Sequence, residues 1–551
     1  MRLSTARCRW AWSVAVVLVA ALAACGGGEG QDSTSAPDPQ PEFRSLSGAG
    51  NNAESPVVGR ADTPMARMAH PAYPDGLAEP SGIDRPNPRT VSNIVARQSG
   101  NLPNARGASD FLWQWGQFLD HDLTLAREQA DAPLPIPVPP GDEHFDPAGS
   151  GAVEIPFDRS EYDPDTGQAD PRQQMNALTA YVDASQVYGS SDARAQALRR
   201  NDGSGKLRTS EGDLLPLNTT GLENNPDSQD PSLFVAGDVR ANEQVALTAM
   251  HVLFVREHNR LADRLRSADA SLSGDAVYQH ARAIVIAKVQ RITYDEFLPL
   301  LLGEDALSEY DGYEPDTAAR LANEFATVAF RLGHSLLSST LRRVGPDGQT
   351  IAAGDLPLRD AFFFPPERLR TEGGIEPLLR GLAGQPAQEL DPLVVDDVRN
   401  FLFGPPGDGG RDLIALNLQR ARDHGLPAYN ELRRSLGLTA KATFADVSTD
   451  PEIRARLVEA YDSVELIDPW IGCMAEDHLP GAMVGELAFS ILKRQFEALR
   501  DGDRFWYKRL DTATYTELGV DEIERASLAQ VIRDNTAIGD EIPDDVFRVA
   551  P

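Results

Sequence analysis

The spacing of apolar residues along this chain is mainly helical. One stripe, in which apolar side chains recur every three or four residues, predicts a long amphipathic helix and comprises Leu247, Met250, Phe254, His258, Leu261 and Leu265. A second stripe predicts a helix over residues 321–337 and comprises Leu321, Phe325, Val328, Leu332 and Leu336. Strand-like alternation is scarce, and the proline-dense segment at 132–141 predicts extended backbone that excludes helix. The pattern therefore predicts a mainly α fold with long proline-rich loops and little β structure.

The N-terminal region follows a different pattern. A basic start precedes an apolar run from Trp10 to Ala24, which is too short to span a bilayer and is followed by Cys25. This order resembles a bacterial lipoprotein signal, so we expect removal of residues 1–24 and a lipid anchor on Cys25; an ordinary secretory signal is the alternative. The expected location is the bacterial cell envelope, at the outer membrane on its periplasmic or extracellular face. Residues 25–61, rich in Gly, Ser and Pro, predict a flexible lipid-anchored linker, and residues 62–551 predict a single large domain.

Composition and charge narrow the classes of partner. The chain has 551 residues, with 52 Lys and Arg against 83 Asp and Glu, which gives a formal net charge of −31. This surplus excludes nucleic acid as a direct partner and leaves the lipid anchor as the expected membrane contact. Three cysteines cannot form a disulfide scaffold, so core packing or a bound metal must hold the fold together. The oligomeric state stays open.

One candidate site lies in the segment WQWGQFLDHD at 113–122. Helical spacing places Gln117 and His121 on one face, with Asp120 beside them and Asp122 turned away. A histidine between two acids can serve in acid–base chemistry. From these residues alone, a surface helix cap is the alternative.

Two further segments contain candidate chemistry. His334 lies late in the predicted 321–337 helix, where a core histidine with satisfied hydrogen bonds is the alternative to a ligand. Arg240 and Glu243 lie three residues apart, just before the long predicted helix. That spacing by itself is typical of an ordinary ion pair.

The segment TAYVDAS at 179–185 has the character of a hard-cation site. In extended backbone, every second side chain points the same way, so Thr179, Asp183 and Ser185 can turn oxygen atoms towards one point, with the Tyr181 carbonyl between them. Asp122 could add a carboxylate to complete a calcium site. A turn rich in Ser, Thr and Asp that binds no ion is the alternative.

Together these segments resemble the animal-type haem peroxidase superfamily, of the myeloperoxidase and peroxidasin type. The motifs that carry the resemblance are, in family order, QWGQFLDHD (114–122), LTAYVDASQVYGS (178–190), GDVRANE (237–243), FRLGHS (330–335), LNLQRARDHGLPAYN (416–430) and DGDRFWY (501–507). The resemblance also covers RPNPR at 85–89 and the proline-rich loop, and so nearly the whole mature domain. It implies an exported bacterial member that carries a haem b in a single, mostly helical domain.

The resemblance implies roles on the two faces of the haem. His334 matches the proximal iron ligand, Asn417 matches the acceptor of its other N–H, and Arg420 matches a residue near a haem propionate. His121 matches the distal base, with Arg240 as its electrostatic partner and Gln117 orienting peroxide or a halide.

The implied reaction is the reduction of hydrogen peroxide to water through a high-valent iron–oxo intermediate. Its implied reductants are bromide, iodide, thiocyanate or small phenols. In the most strongly oxidising relative, a methionine after the second carboxylate is joined to the haem. This chain has Gln244 there, which excludes a sulfonium link and argues against chloride as the donor.

The resemblance also implies a calcium site and covalent haem links. Asp122, Thr179, Tyr181, Asp183 and Ser185 match the family's calcium ligands. Asp120 and Glu243 match the two carboxylates that form esters with haem methyl groups in several relatives, so ester-linked haem is compatible with this sequence.

Two alternative functions belong to other classes. The superfamily includes fatty-acid oxygenases, which use a tyrosine three residues before the proximal histidine, and this chain has Arg331 at that position. A calcium-binding surface or adhesion protein without enzymatic activity is the second alternative. The absence of that tyrosine argues against the oxygenase, and the presence of His121, Arg240, His334 and Asn417 argues against the non-enzymatic protein.

Overall fold

Helices form most of the regular structure in the computed structural model, which describes residues 41–549. The first ten are α1 (Pro88–Val95), α2 (Phe111–Leu123), α3 (Ser185–Tyr188), α4 (Asp192–Leu198), α5 (Val245–Ala268), α6 (Gly274–Ile292), α7 (Leu298–Leu302), α8 (Asn323–Thr327), α9 (Pro366–Thr371) and α10 (Glu376–Gly384). The others are α11 (Asp396–Arg399), α12 (Leu413–Asp423), α13 (Tyr429–Ser435), α14 (Phe444–Val447), α15 (Pro451–Ala460), α16 (Pro469–Ala475), α17 (Glu486–Asp501), α18 (Thr512–Glu524) and α19 (Leu528–Asn535). The mainly α class is confirmed.

The β structure consists of short antiparallel pairs. The strands are β1 (Thr63–Pro64), β2 (Glu128–Pro133), β3 (Ile136–Pro137), β4 (Glu154–Ile155), β5 (Asp158–Ser160), β6 (Met175–Asn176), β7 (Thr340–Leu341) and β8 (Leu356–Pro357). They pair as β1 with β6, β2 with β5, β3 with β4 and β7 with β8. Strands β2 and β3 place the proline-dense segment in extended backbone, as its prolines predict.

The helix α5 is the centre of the core. Its predicted stripe is buried along its whole length, from Leu247 at 0% exposure to Leu265 at 1%. The helix packs against α2, α6 and α19. The Gln244 side chain caps its first turn by accepting from the Ala246 N–H over 2.7 Å.

The predicted continuous helix over 321–337 is wrong. Helix α8 ends at Thr327, Val328 leaves helical geometry at φ −123° and ψ −78°, and a 3₁₀ helix follows over Ala329–His334. Tertiary packing overrides the apolar period here, because the 3₁₀ helix lies against α2, α8 and α17. In a 3₁₀ helix, residues three apart lie on the same side, so the break brings Arg331 and His334 to one face.

The compact domain begins earlier than predicted. It starts at Pro41, so the part of the predicted linker over 41–61 belongs to the folded unit and not to a tether. The physical reason is the buried carboxylate of Asp503, which accepts from Arg44 Nη2 and from Asn51 Nδ2, each over 2.9 Å. The predicted signal peptide, Cys25 and the rest of the linker lie outside the described residues.

Two sequence features have simple outcomes in the fold. Cys473 is buried at 1% exposure and forms no disulfide, as a small core residue would. Within residues 41–549, no helix combines the length and the apolar character needed to cross a membrane.

Candidate active site

A cavity of about 360 Å³ lies between α2 and the 3₁₀ helix Ala329–His334. Seven of the predicted site residues line it: Gln117, Asp120, His121, Arg240, Glu243, His334 and Arg420. Asn417 lies behind His334, and the five residues of the predicted cation site lie outside the cavity lining. The fold thus joins motifs that are more than 200 residues apart in the sequence.

Helix α2 presents the predicted polar face to this cavity. Its apolar side chains, such as Trp115 and Phe118, are fully buried. Phe118 stacks on Phe254 of α5, and Trp115 lies against the same ring at a tilted angle. That packing leaves Gln117, Asp120 and His121 on the cavity side.

His121 is a neutral base held in a dry position. Its side chain is 4% exposed. Burial lowers the pKa of His121 well below its ordinary value; the charge of Arg240 lowers it further, and Asp238 opposes this. The ring atom Nε2 lies 3.9 Å from Glu243 Oε2, so one ring nitrogen faces the cavity carboxylate. A neutral imidazole at this point can accept a proton from a bound reactant.

Arg240 is fixed by a buried carboxylate. Asp238, whose side chain is 1% exposed, accepts from the Arg240 backbone N–H over 2.8 Å and from Nε and Nη2 over 2.9 Å each. Arg240 Nη2 also donates to the Thr124 carbonyl over 2.8 Å. The sequence patterns do not single out Asp238 as a site residue. The signal that could have found it is its position two residues before Arg240, in the same motif.

Asp120 and Glu243 are partly enclosed in the cavity, with 29% and 26% of their side chains exposed. Burial raises the pKa of Glu243 to about 7; Arg240 opposes the shift, and Asp238 and Asp120 add to it. Burial likewise raises the pKa of Asp120, and Arg240 opposes it. Glu243 Oε1 accepts from Gln117 over 3.1 Å, and Asp120 Oδ1 accepts from the Thr124 hydroxyl over 2.7 Å.

Gln244 fixes the orientation of Gln117. Its amide nitrogen donates to Gln117 Oε1 over 2.9 Å and to Gln114 Oε1 over 2.6 Å. Because the Gln117 oxygen accepts this bond, the Gln117 amide N–H group is the side that donates to Glu243. The residue that replaces methionine in this chain therefore supports the cavity wall.

His334 and Asn417 are in contact, and the amide nitrogen of Asn417 faces the ring. Asn417 Nδ2 lies 2.9 Å from His334 Nδ1, and Arg331 Nη1 donates to Asn417 Oδ1 over 2.7 Å. The amide N–H group therefore donates to Nδ1, which leaves the proton of the neutral ring on Nε2. The reason is Arg331, which can only donate and so engages the amide oxygen. Burial, and then the charge of Arg331, lowers the pKa of His334 to about 3.

Arg420 lines the cavity but is already paired. Its Nη2 donates to Glu128 Oε1 over 2.6 Å, and its Nη1 donates to the Ser160 hydroxyl over 2.8 Å. Its guanidinium also lies over the Phe157 ring, 4.1 Å from the centroid. Glu128, like Asp238, is a site residue that the sequence does not reveal.

The segment 179–185 is bent and not extended as predicted. Ala184 adopts the left-handed conformation at φ 59°, and Ser185 begins α3. The bend is stabilised by Asp122, whose carboxylate accepts from the backbone N–H groups of residues 183, 184 and 185.

This bend gathers oxygen atoms at one buried place. Both carboxylate oxygens of Asp183 and the hydroxyl of Thr179 are buried and have no hydrogen-bond partner within residues 41–549. Ser185 donates its hydroxyl to the Asp122 carbonyl over 2.9 Å, and Tyr181 is fully buried beside them. Burial, together with the charge of Asp183, raises the pKa of Asp122 well above its ordinary value. No cluster of three or more His, Cys, Asp or Glu side chains suited to a metal occurs in the described part of the chain.

Comparison with known proteins agrees with this geometry. A family model described as animal haem peroxidase matches residues 43–547. Peroxinectin A of Dictyostelium discoideum is 37% identical over 525 residues, which cover 92% of this chain and 96% of that protein. Thyroid peroxidase of Sus scrofa is also 37% identical, over 92% of this chain but 60% of that longer protein. The solved structure of peroxidase A from Dictyostelium discoideum is 36% identical with a TM-score of 0.84, and the match covers 92% of this chain and 99% of that one.

Proposed function

This chain belongs to the animal haem peroxidase family and is a haem-dependent oxidoreductase that reduces peroxide, and on that premise we propose that its donors are bromide, iodide, thiocyanate and small phenols. Two features support these donors. Gln244 offers no sulfur for a sulfonium link to haem, which argues against chloride. The cavity wall includes apolar side chains such as Phe362, Phe403 and Leu416, which suit the ring of a phenol.

The residues of the cavity fit a haem b. His121 and His334 approach it from two elements, and both rings are neutral, as metal binding and base chemistry require. Gly333, next to His334, has open space where a side chain would start, because a Cβ atom there would have no neighbour within 4 Å. Arg331 and Arg420 line the cavity and supply positive charge for the haem propionates.

His334 is the residue that holds the iron in this proposal. Coordination through Nε2 would require the ring proton to be on Nδ1. The Asn417 amide would then have to accept from Nδ1 through Oδ1, the oxygen that Arg331 contacts in this structure. When bound, haem supplies the iron centre at which the peroxide O–O bond is cleaved and from which donors draw oxidising equivalents.

The distal side chains handle the proton and the charge of peroxide. His121 Nε2 would accept a proton from one oxygen of the peroxide and return it to the other oxygen, which leaves as water. The Arg240 guanidinium, fixed by Asp238, stabilises the negative charge that develops along the O–O bond. The Gln117 amide, held by Gln244, orients the reactant.

Asp120 and Glu243 form ester links to haem methyl groups in this proposal. Both line the cavity, and Glu243 has a pKa raised to about 7, so a substantial fraction is protonated near neutral pH. Mass spectrometry of tryptic peptides after peroxide treatment tests this. Haem should remain attached to peptides that contain residue 120 or 243, and the variants Asp120→Asn and Glu243→Gln should each lose one attachment.

Calcium binds at residues 122 and 179–185 in this proposal. The support is the set of buried oxygen atoms on Asp183 and Thr179 that lack donors in the described structure, because a hard cation would satisfy them. Since Asp122 is next to His121, the ion would also fix the position of that base. Binding to the native state alone would stabilise the fold by mass action.

Removing the ion tests this site. A chelator should lower the Tm of the wild-type protein, whereas Asp183→Asn should have a lower Tm that no longer responds to the chelator. Asp468→Asn, which removes a buried carboxylate outside the cavity, is the matched control and should keep the response. A wild-type Tm that is indifferent to the chelator would contradict the calcium site.

A donor panel tests the proposed function as a whole. With hydrogen peroxide, kcat/KM should be measurable for iodide, thiocyanate, bromide and a phenol, and lowest for chloride. Oxygen uptake with a fatty acid should be absent, because Arg331 stands where an oxygenase needs its tyrosine. Chloride turnover equal to that of bromide, or fatty-acid oxygenation, would contradict the proposal.

A further inference from the structure

The unused nitrogen of His121 faces a carboxylate. Nδ1 of His121 is buried, has no hydrogen-bond partner within residues 41–549, and lies 3.6 Å from Asp238 Oδ1. This distance exceeds that of a formed hydrogen bond. Hydrogen bonds of catalytic groups are often long before reactants bind and shorten afterwards, so the contact is one small movement away from a bond.

The backbone of Asp238 is held firmly in place. A Cβ atom on the preceding residue, Gly237, would lie 2.3 Å from the Ser185 carbonyl oxygen, so this turn is pressed directly against α3. The Asp238 N–H donates to the Gln186 carbonyl over 3.1 Å. The carboxylate therefore cannot move away from His121 without loss of this docking.

Asp238 also stays negatively charged. Burial raises its pKa, but Arg240 and the nearby His121 oppose this and together hold the pKa of Asp238 well below its ordinary value. A carboxylate without its proton can only accept a hydrogen bond. The one donor that His121 can offer to it is an Nδ1–H group.

We propose that Asp238 is a positioning residue that sets the tautomer of His121. Its carboxylate keeps the imidazole proton on Nδ1, so that the lone pair of Nε2 faces the cavity and accepts the proton of the incoming reactant. The same carboxylate holds the Arg240 guanidinium, so one residue aligns both distal groups. A buried aspartate gives a catalytic histidine its productive tautomer by the same physical means in serine proteases. This inference rests on the proposed role of His121 as the distal base.

Cyanide binding to the ferric holoprotein tests the inference without turnover. Neutral hydrogen cyanide binds iron as its anion, so its proton must pass to a base in the cavity. Asp238→Asn nearly preserves the size of the side chain but offers Nδ1 an amide that can donate. We expect its cyanide association rate to fall about 100-fold, in the range of a lost general base. Asp468→Asn, the matched buried carboxylate that accepts from Arg422, should leave the rate within about twofold.

A double variant separates the tautomer effect from the support of Arg240. If Asp238 acts through His121, Asp238→Asn should slow cyanide binding by less than about threefold in the His121→Ala background. An equal loss in both backgrounds would overturn the inference, because Asp238 would then act through Arg240 or the fold alone. If His121→Ala by itself leaves the rate unchanged, the proposed base role fails instead, and the two failures are distinguishable.

A spectroscopic measurement on the wild-type protein covers the case in which Asp238→Asn does not fold. In the diamagnetic carbon monoxide complex of the reduced holoprotein, ¹⁵N shifts of labelled histidine rings distinguish protonated from unprotonated nitrogens. The His121 signals, identified by their loss in His121→Ala, should show a protonated Nδ1 and an unprotonated Nε2. The reverse assignment would overturn the inference.

Discussion

His121 and His334 are the same residue type at the same cavity, yet their partners give them different chemistry. His121 has a carboxylate near Nδ1 and a fixed guanidinium nearby, which suit a base that accepts a proton and returns it. His334 has the amide of Asn417 at Nδ1, and the proposed iron ligation through Nε2 requires that amide to present its oxygen instead of its nitrogen. The two rings therefore differ in their nearest polar side chain, and the roles proposed for them follow from that difference.

Replacing Asn417, the amide next to His334, should change the reduction potential of the bound haem iron. In Asn417→Asp, the carboxylate accepts from both His334 Nδ1–H and Arg331, which increases electron donation from the imidazole. We expect the midpoint potential of the ferric–ferrous couple to fall by on the order of 50 mV. Spectroelectrochemistry measures this, and Asn218→Asp, a buried site outside the cavity, is the control. A potential that rises or stays unchanged would show that Asn417 does not tune the metal ligand.

The residues that meet at the cavity were predictable from the motifs, but the side chains that hold them in place were not. His121, Arg240 and His334 stand in short segments whose order along the chain resembles a family. Glu128 pairs with Arg420, which only the fold brings close, and no motif links the two. Asp238 stands two residues before Arg240 in one motif, but nothing in the sequence shows that its carboxylate also lies near His121. The orientation of Asn417 depends on Arg331, whose position follows from the break at Val328.

Elements differ in how far their sequence determines them. Helix α5 forms as its stripe predicts, because 24 residues of helical period pack against α2, α3, α6, α10 and α19. The segment 321–337 has the same kind of stripe but splits into α8 and a 3₁₀ helix. Its apolar residues would be buried in either arrangement, so the hydrophobic pattern alone could not distinguish them. Residues 41–61 have no helical or strand-like period. They join the folded domain because Arg44 and Asn51 donate hydrogen bonds to the buried carboxylate of Asp503.

The π-helix Thr293–Phe297, which continues from α6, should make stability depend on pH. Burial of Glu296 in this element raises its pKa from 4.5 to about 8, and the charge of Asp545 adds to the shift. The native chain thus binds the Glu296 proton more tightly than the unfolded chain does. The stability that this proton contributes is complete below the unfolded pKa of Glu296 and is lost as the pH rises through about 8. Between about pH 5 and about pH 9, we expect the unfolding free energy to fall by about 4 kcal/mol relative to Glu296→Gln.

Urea unfolding of both proteins across this pH range measures the difference. Glu367→Gln, which removes a fully exposed carboxylate, is the control and should follow the wild type. Parallel curves for wild type and Glu296→Gln would contradict the raised pKa.

At the scale of the whole molecule, the net charge of −31 should govern the approach of anionic donors. The surface repels iodide at low ionic strength, and added salt screens this repulsion. We expect kcat/KM for iodide to rise roughly threefold between about 10 mM and about 200 mM of an inert salt. Steady-state rates measure this, with a neutral phenol as the control that should not respond. An iodide rate that falls with salt would show that local positive charge at the cavity dominates instead.

The family and the overall class were accessible from sequence because the motifs span nearly the whole domain. The choice of donor was not, since it depends on loops that carry no motif and on side chains such as Phe362 and Phe403 that meet only in the fold. Their rings lie 5.3 Å apart at the cavity wall, although 40 residues separate them in the sequence.

The most direct test is the absorption spectrum of the purified holoprotein before and after one equivalent of hydrogen peroxide. The wild type should change its Soret band within milliseconds and recover when iodide or a phenol is added. His121→Ala, with the same haem content, should react with peroxide about 10² to 10⁴ times more slowly. A protein that binds no haem, a wild-type spectrum indifferent to peroxide, or an unchanged rate in His121→Ala would contradict a peroxidase that uses His121 as its distal base.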